Sequence, residues 1–404
     1  MLDVLVAGGG YVGLSMAVSI KKAAPHLGVM VVDAAPEGAW QRDERASAII
    51  AAGSRLFSAL GVWPEILEES QPINRMIVTD SRTSDPVRPV FLTFEGDIAP
   101  GEPFAHMVPN RAMVGALLKA AGELGVDVVH ATTVDSFTTQ TASIAVRLSD
   151  STSVDARLLI ACDGRKSRLR DLAGIKTVDF DYGQSGIVTT VEHERDHGGV
   201  AEEHFLPAGP FAILPMKGKR ASLVWTERTE DANRLIATDE LVFEEELERR
   251  FGHKLGALRV IGGRYAFPLS LSLARAFIAP RLALAGDAAH GIHPISGQGL
   301  NLGLKDVAAL AETIVDADRL GLDIGAVDVL ERYQSWRRFD TFRMGVTTDV
   351  LNRLFSNDVT PIRIARDFGL GLVDRMPALK SFFIRQAAAV GQKDNPKLLE
   401  GALP

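Results

Sequence analysis

MLDVLVAGGGYVGLSMAVSIKKA, residues 1–23, opens with an apolar run from Leu2 to Ala7, then Gly8-x-Gly10-x-x-Gly13, then helical spacing. Each glycine has a physical task in a dinucleotide site. The first permits the tight turn, the second lets a pyrophosphate lie against the backbone, and the third lets helix and strand pack closely. The helix start adds free N–H groups and a positive dipole end. A second apolar strand, VMVVD, ends at Asp33, about 20 residues on, where a ribose-binding carboxylate belongs. The spacing predicts a parallel α/β sheet with a dinucleotide site. At this point a nicotinamide and a flavin dinucleotide are both open.

Around this start the chain has 404 residues, 46% hydrophobic and 24% charged, enough for two or three domains or one α/β body with an inserted lobe. A net charge of −7 argues against nucleic acid as a main partner. The acidity is uneven: residues 332–393 hold eleven Lys/Arg and five Asp/Glu, a local +6, which leaves −13 elsewhere. That region suits an anionic surface, a membrane or an acidic partner, or a solvated helical face. Cys162, the single cysteine, excludes an internal disulfide and reads as a small buried hydrophobe. No basic leader precedes the first strand, and no apolar run reaches the ~18 residues of a spanning helix, so a soluble or peripheral protein is expected.

Further along, residues 42–70 read as a loop containing Arg45 followed by a helix, and 73–105 as strands broken by turns. A loop at 106–109 leads to a helix from Asn110, taken as its N-cap, to Glu123. Residues 182–228 alternate apolar and polar positions, which predicts a separate antiparallel sheet. Helices are expected from Gly299 to the chain end, with a break near Pro361. His193 and His197 have i, i+4 spacing but sit in a strand-to-loop pattern, so no metal is expected.

Two later stretches repeat the strand-into-glycine theme: ACDGRKSRLR at 161–170, with Asp163-Gly164, and LAGDAAH at 284–290, with Gly286-Asp287. With the N-terminal glycines and HPISGQGLNLGLKD (293–306), the chain resembles the ubiquinone-biosynthesis hydroxylases among the FAD-dependent aromatic monooxygenases related to p-hydroxybenzoate hydroxylase. PLSLSLARAF and MPALKSFFIRQAA extend the similarity over nearly the whole chain.

The resemblance implies a Rossmann-like FAD-binding domain (1–72, 106–180 and 276–330), an inserted antiparallel β-sheet substrate lobe (73–105 and 181–275) and a helical C-terminal region (331–404). It assigns Gly8, Gly10 and Gly13 to the FAD pyrophosphate and Asp33, where relatives often have Glu, to the adenosine ribose. Arg45 and Arg111 match arginines that touch the flavin nucleotide, and Val134 a backbone contact to adenine. Asp163 and Gly164 fall near the pyrophosphate, and Gly286 with Asp287 at the ribityl chain. Pro294, Gly297, Gln298, Gly299 and Asn301 follow at the isoalloxazine edge, where a helix N-terminus favours negative charge. His290 and His293 lie near the flavin; His290 reads first as a local packing or hydrogen-bonding residue. No protein base is assigned.

The implied reaction passes a hydride from NAD(P)H to FAD, adds O₂ at the flavin C4a carbon and delivers oxygen to the ring of a polyprenylated phenol. A lobe wall drawn from Phe205, Leu206, Pro207, Phe211, Ile213, Leu214, Pro215 and Trp225 suits such a substrate, or is simply core. The C-terminal Arg375, Leu379, Lys380, Phe382, Phe383 and Arg385 suit contact with a membrane or with subunits of a biosynthetic complex. Cytoplasmic placement, peripheral at the inner membrane, follows. Three alternatives stay open: a small-aromatic hydroxylase, with Arg220 or Arg228 as its cation, an isoprenoid reductase, and a flavin-containing assembly component.

Overall fold

The computed structural model describes residues 1–81, 90–95, 97–292, 298–355 and 395–404. Five short apolar strands build a parallel layer in the order Asp127–Val129, Val29–Val32, Leu2–Ala7, Ser153–Ala161, Leu282–Leu284. Val4, Leu5, Val6, Leu158, Leu159, Ile160 and Leu282 to Leu284 are fully buried. Strands covered on both faces read as continuous apolar runs, and these do. Two further strands, Val134–Thr139 and Ile144–Leu148, join antiparallel along the first half of Ser153–Ala161. The helices Tyr11–Ala23 and Gln298–Arg319 lie together over this layer.

A second, nine-stranded sheet is organised around Thr177–His193, which pairs antiparallel with Arg220–Arg228 on one side and Tyr265–Ala274 on the other. This strand belongs to the second sheet from Thr177 onward, a few residues ahead of the expected lobe boundary. One of its pairings is parallel, Arg75–Asp80 beside Val200–Leu206. The chain joining them is long enough to cross the first sheet, which a parallel pair requires. The amphipathic helices Thr229–Ala237 and Glu240–Phe251 cover one face of this sheet, where Trp225, Phe211 and Phe243 are buried together.

Three local expectations are corrected. Residues 46–50 are a strand, Ala46–Ile50, ahead of the helix Ala51–Ala59, and the expected loop at 106–109 is part of its partner Ala105–Pro109. Five residues carry too little periodicity to announce a strand; their pairing comes from a segment about 60 positions away. Asn110 is the first helical residue rather than the cap. Its amide donates to Asp43 (3.2 Å) and its Oδ1 accepts from Ser47 (2.8 Å), so tertiary contacts claim the side chain. The chain end, expected helical, makes a single 3₁₀ turn, Lys397–Glu400, that buries Leu398 and Leu399 in the core under the first sheet. The Pro361 break and residues 375–385 lie outside the described residues.

Candidate active site

The three glycine motifs follow the C-terminal ends of three adjacent parallel strands, Leu2–Ala7, Ser153–Ala161 and Leu282–Leu284. Ligands of open α/β sheets bind at such strand ends. The motifs also touch. Gly8 has φ +114°, and a Cβ there would lie 2.2 Å from the Cys162 carbonyl oxygen. A Cβ on Gly13 would lie 1.9 Å from the Gly8 oxygen, so the helix can approach the strand this closely only through glycine. Gly286, at φ +63°, and Gly303 both close on Val12, at 3.2 and 2.9 Å from where their Cβ atoms would be. Val12 is thus wedged between the first motif and the third. Among the described residues nothing lies within 4 Å of where a Cβ on Gly10 or Gly299 would be, the position for a ligand rather than a neighbour.

Asp33 closes the far end of this trough. A Cβ on Gly9 would meet the Asp33 side chain at 2.7 Å, and the Asp33 backbone is bonded to Val129 and Thr132 (2.9 and 2.8 Å). The backbone beside Asp33 therefore comes from 129–132, ahead of Val134, whose side chain is buried.

Of Asp-Ala-Ala-His at 287–290, only Asp287 is exposed; Ala288, Ala289 and His290 are buried. Its carboxyl opens into the trough while protein crowds its other sides, and that burial raises its pKa. Tyr11, first residue of the glycine-turn helix, senses the same carboxylate: burial and then Asp287 push its phenol up to about 12. Arg45 and Asp43 act on Tyr11 too, and pair with each other at 2.8 Å. Arg45 thus borders the trough. Arg111 faces Glu69 at 3.9 Å, an exposed and loose pair.

Asp163 accepts from Leu169 N–H through Oδ2 (3.1 Å), while its buried Oδ1 has no partner among the described residues. Gly164 beside it has φ +82°. Arg165, to which no role was assigned, reaches the Pro268 and Ser270 carbonyls of Tyr265–Ala274 and joins the two sheets. It also lowers the pKa of Asp287, against the burial that raises it.

Beneath the trough lies a cluster the sequence did not announce. Asp306 is fully buried; its Oδ2 accepts from Gly286 N–H (2.9 Å) and His290 Nε2 (2.5 Å), and its Oδ1 from Arg337 Nε (2.8 Å). Burial works to raise the Asp306 pKa, but His290 and Arg337 hold the carboxyl below its ordinary value. Arg337 continues to Asp340 (2.8 Å), which also receives Lys305 (3.3 Å) and Arg343 (2.9 Å). His290 therefore bonds locally and is turned away from solvent. Asn301 spends its amide on Ala48 O (2.8 Å) and Ile50 N (3.1 Å), pinning Ala46–Ile50 to the Gln298–Arg319 helix. His193 and His197 bond to the Arg195 and Met216 carbonyls (2.7 and 2.8 Å). His293, Pro294 and Gly297 lie outside the described residues, as does the Gln298 side chain.

A family profile described as FAD binding domain matches residues 1–338. The chain is 45% identical to the ubiquinone hydroxylase UbiL of Rhodospirillum rubrum, over 99% of this chain and 92% of that one. It is 31% identical to the 3-demethoxyubiquinol 3-hydroxylase of Escherichia coli, over 95% and 98%. This chain belongs to the ubiquinone-biosynthesis hydroxylase family. Its fold is also that of p-nitrophenol 4-monooxygenase PnpA from Pseudomonas putida, with a TM-score of 0.80, 17% identity and 98% and 99% coverage.

The hydroxylase is accordingly an FAD-dependent monooxygenase, and the trough fits the cofactor: glycines where a Cβ could not fit, an exposed carboxylate at Asp287, and the orphaned Asp163 oxygen. Cys162, read as a buried hydrophobe, is only partly buried beneath the glycine turn, and the crowding there pushes its thiol well above the ordinary range. The native hydroxylase is expected to leave Cys162 unmodified by a disulfide-exchange dye and to release one thiol only when denatured. Rapid labelling of folded protein would contradict that placement.

Proposed function

We propose that this hydroxylase inserts one oxygen atom into the ring of a polyprenylated phenol on the route to ubiquinone, using NAD(P)H and O₂. The observation that carries the reading is the convergence of three strand ends on one trough, joined to the nine-stranded sheet through Arg165. The relatives' names supply the substrate class. When bound, FAD supplies hydride acceptance and oxygen activation. Gly8, Gly10, Gly13, Asp163 and Gly164 would border its pyrophosphate, Asp33 its ribose, and Asp287 its ribityl chain, with Arg45 alongside. Segments 1–72, 106–180 and 276–330 would hold the cofactor; 73–105 and 181–275 would wall in the substrate.

The wall favours a prenyl phenol over a small aromatic acid. Leu206, Phe211, Ile213 and Trp225 face the covering helices and are core, while Val188, Leu214, Val224, Tyr265 and Phe267 on the opposite face are partly or fully exposed. Arg220 and Arg228 sit at the two ends of their strand, away from its apolar middle. No helix among the described residues is long and apolar enough to cross a membrane. Phe339, Phe342, Val346 and Val350 form an exposed stripe along Val327–Phe355, flanked by Arg338 and Arg343. That stripe supports collecting a lipid-borne substrate at a membrane surface.

Purified protein should be yellow and should oxidise NAD(P)H faster with a prenylphenol, consuming O₂. NAD(P)H oxidation without O₂ uptake would favour a reductase instead. Asp287→Ala should weaken FAD binding by roughly 10–100-fold, the loss of a hydrogen bond to a charged group. Folded protein that refuses FAD, or an Asp287→Ala variant with unchanged affinity, would refute the assignment.

A further inference from the structure

One buried acid on the substrate wall is not used by anything described so far. Side chains alternate along Val200–Leu206, so Glu203 points opposite to Glu202 and His204. Glu202 and His204 are engaged, with Lys254 and Thr79 respectively. Glu203 stands between Ala201 and Phe205 on the face away from Thr229–Ala237 and Glu240–Phe251, level with Val78 and Ala212 on the neighbouring strands. It is 4% exposed, and among the described residues no hydrogen bond or cation compensates it.

Two elements pack on that face. At one margin Ala201, Leu214 and Met216 pack on Ala105 and Met107, whose strand pairs with Ala46–Ile50, the strand pinned by Asn301. At the other, Gly345 of Val327–Phe355 lies against Leu271 and Leu273. The exposed Tyr265 (50%) and Phe267 (42%) are on the same face, four strands across the sheet from Val200–Leu206.

We propose that the Glu203 carboxylate meets the ring hydroxyl of the phenol and takes its proton as the ring is oxidised, an assignment that rests on the phenol-hydroxylase reading above. The phenolic O–H bond breaks and its proton forms a new O–H bond on Glu203; the released electron pair lets the ring carbon form a C–O bond to the electrophilic oxygen derived from O₂ as that atom's O–O bond breaks, the second oxygen leaves with the bonding pair and ends as water, and the ring C–H proton is lost as aromaticity returns. Burial raises the Glu203 pKa to about 7, which suits an acceptor working near neutrality. Asp80, aligned with Phe205 on the adjacent strand, is the diagonal neighbour of Glu203 on this face and is itself buried; Glu192, Arg220 and Arg228 stand at strand ends, and Asp349 is bonded to Tyr182. His106 turns away and meets Trp63 edge to face.

The test compares FAD-loaded wild type with Glu203→Gln, using a geranyl-substituted phenol and its O-methyl ether. With the phenol, Gln should lower kcat about 100-fold, leave FAD affinity unchanged and hold KM within about threefold. In wild type kcat should rise with pH through about 7, the carboxylate being the active form, and Gln should abolish that limb. Glu203→Asp should restore part of the rate. The melting temperature of the Gln variant at pH 8 should equal or exceed wild type, because a neutral amide replaces a buried charge. Wild-type turnover in the Gln variant, a raised KM with unchanged kcat, or a Gln variant that does not fold would each overturn the proposal. Wild-type protein that binds FAD yet hydroxylates neither compound would instead remove the phenol-hydroxylase reading, and this assignment with it.

Discussion

Asp306→Ala is expected to destabilise the protein by about 3–5 kcal/mol, because removing one partner of a buried ion cluster strands the others without compensation. Arg337 and His290 both lean on this carboxylate and are themselves buried. The consequence reaches the trough. Gly286 N–H donates to Asp306, so the turn that presents Asp287 loses its anchor, and FAD affinity should fall together with stability. Urea unfolding and flavin titration measure the two effects. A loss below about 1 kcal/mol would show that water or a neighbour replaces the carboxylate. The pH dependence has a definite sign. The folded Asp306 pKa lies below its ordinary value, so its contribution is complete above the unfolded pKa of about 4 and is lost as pH falls through the folded value. Wild type should therefore carry an acid-induced loss that the alanine variant lacks.

The second large effect is expected at the first turn. Gly13→Ala places a methyl group 1.9 Å from the Gly8 carbonyl oxygen, and Gly8 cannot retreat because it lies against Cys162. The helix Tyr11–Ala23 must move off its strand, so FAD binding should be lost outright and stability should fall by about 1–3 kcal/mol, as for overpacked cores. Gly10→Ala is the informative partner, since its methyl would meet no protein atom. That variant should keep the wild-type melting temperature and yet bind FAD more weakly, the methyl intruding on the ligand. If Gly13→Ala bound FAD normally, or Gly10→Ala unfolded, the close approach described for this turn would be wrong.

Much of this arrangement is legible without coordinates. The strand Leu2–Ala7, the glycine spacing, Asp33 and the two later strand-glycine pairs are local signals. Each needs only an apolar run and a residue that tolerates close backbone approach. The alternation at 182–228 likewise announces its sheet. What it leaves open is which alternate residues face a ligand. Phe211 and Trp225 look as suitable as Leu214, and only the covering helices assign them to the core.

The elements that stayed hidden share a cause. Ala46–Ile50 is a strand because Ala105–Pro109 lies beside it, and Asn110 leaves its capping role because Asp43 and Ser47 fold over it. Asp306 and Arg337 are 31 positions apart, and neither spacing nor composition marks them as partners. Glu203 looks like one of two surface acids in AEEHF until the sheet places it among apolar neighbours. By itself the amino-acid order determined where the backbone turns tightly and which runs avoid water, since both depend on near neighbours. Which charges are buried together and which face of the second sheet stays open were decided only in three dimensions, because desolvation and cross-strand pairing depend on groups that distant parts of the chain bring in.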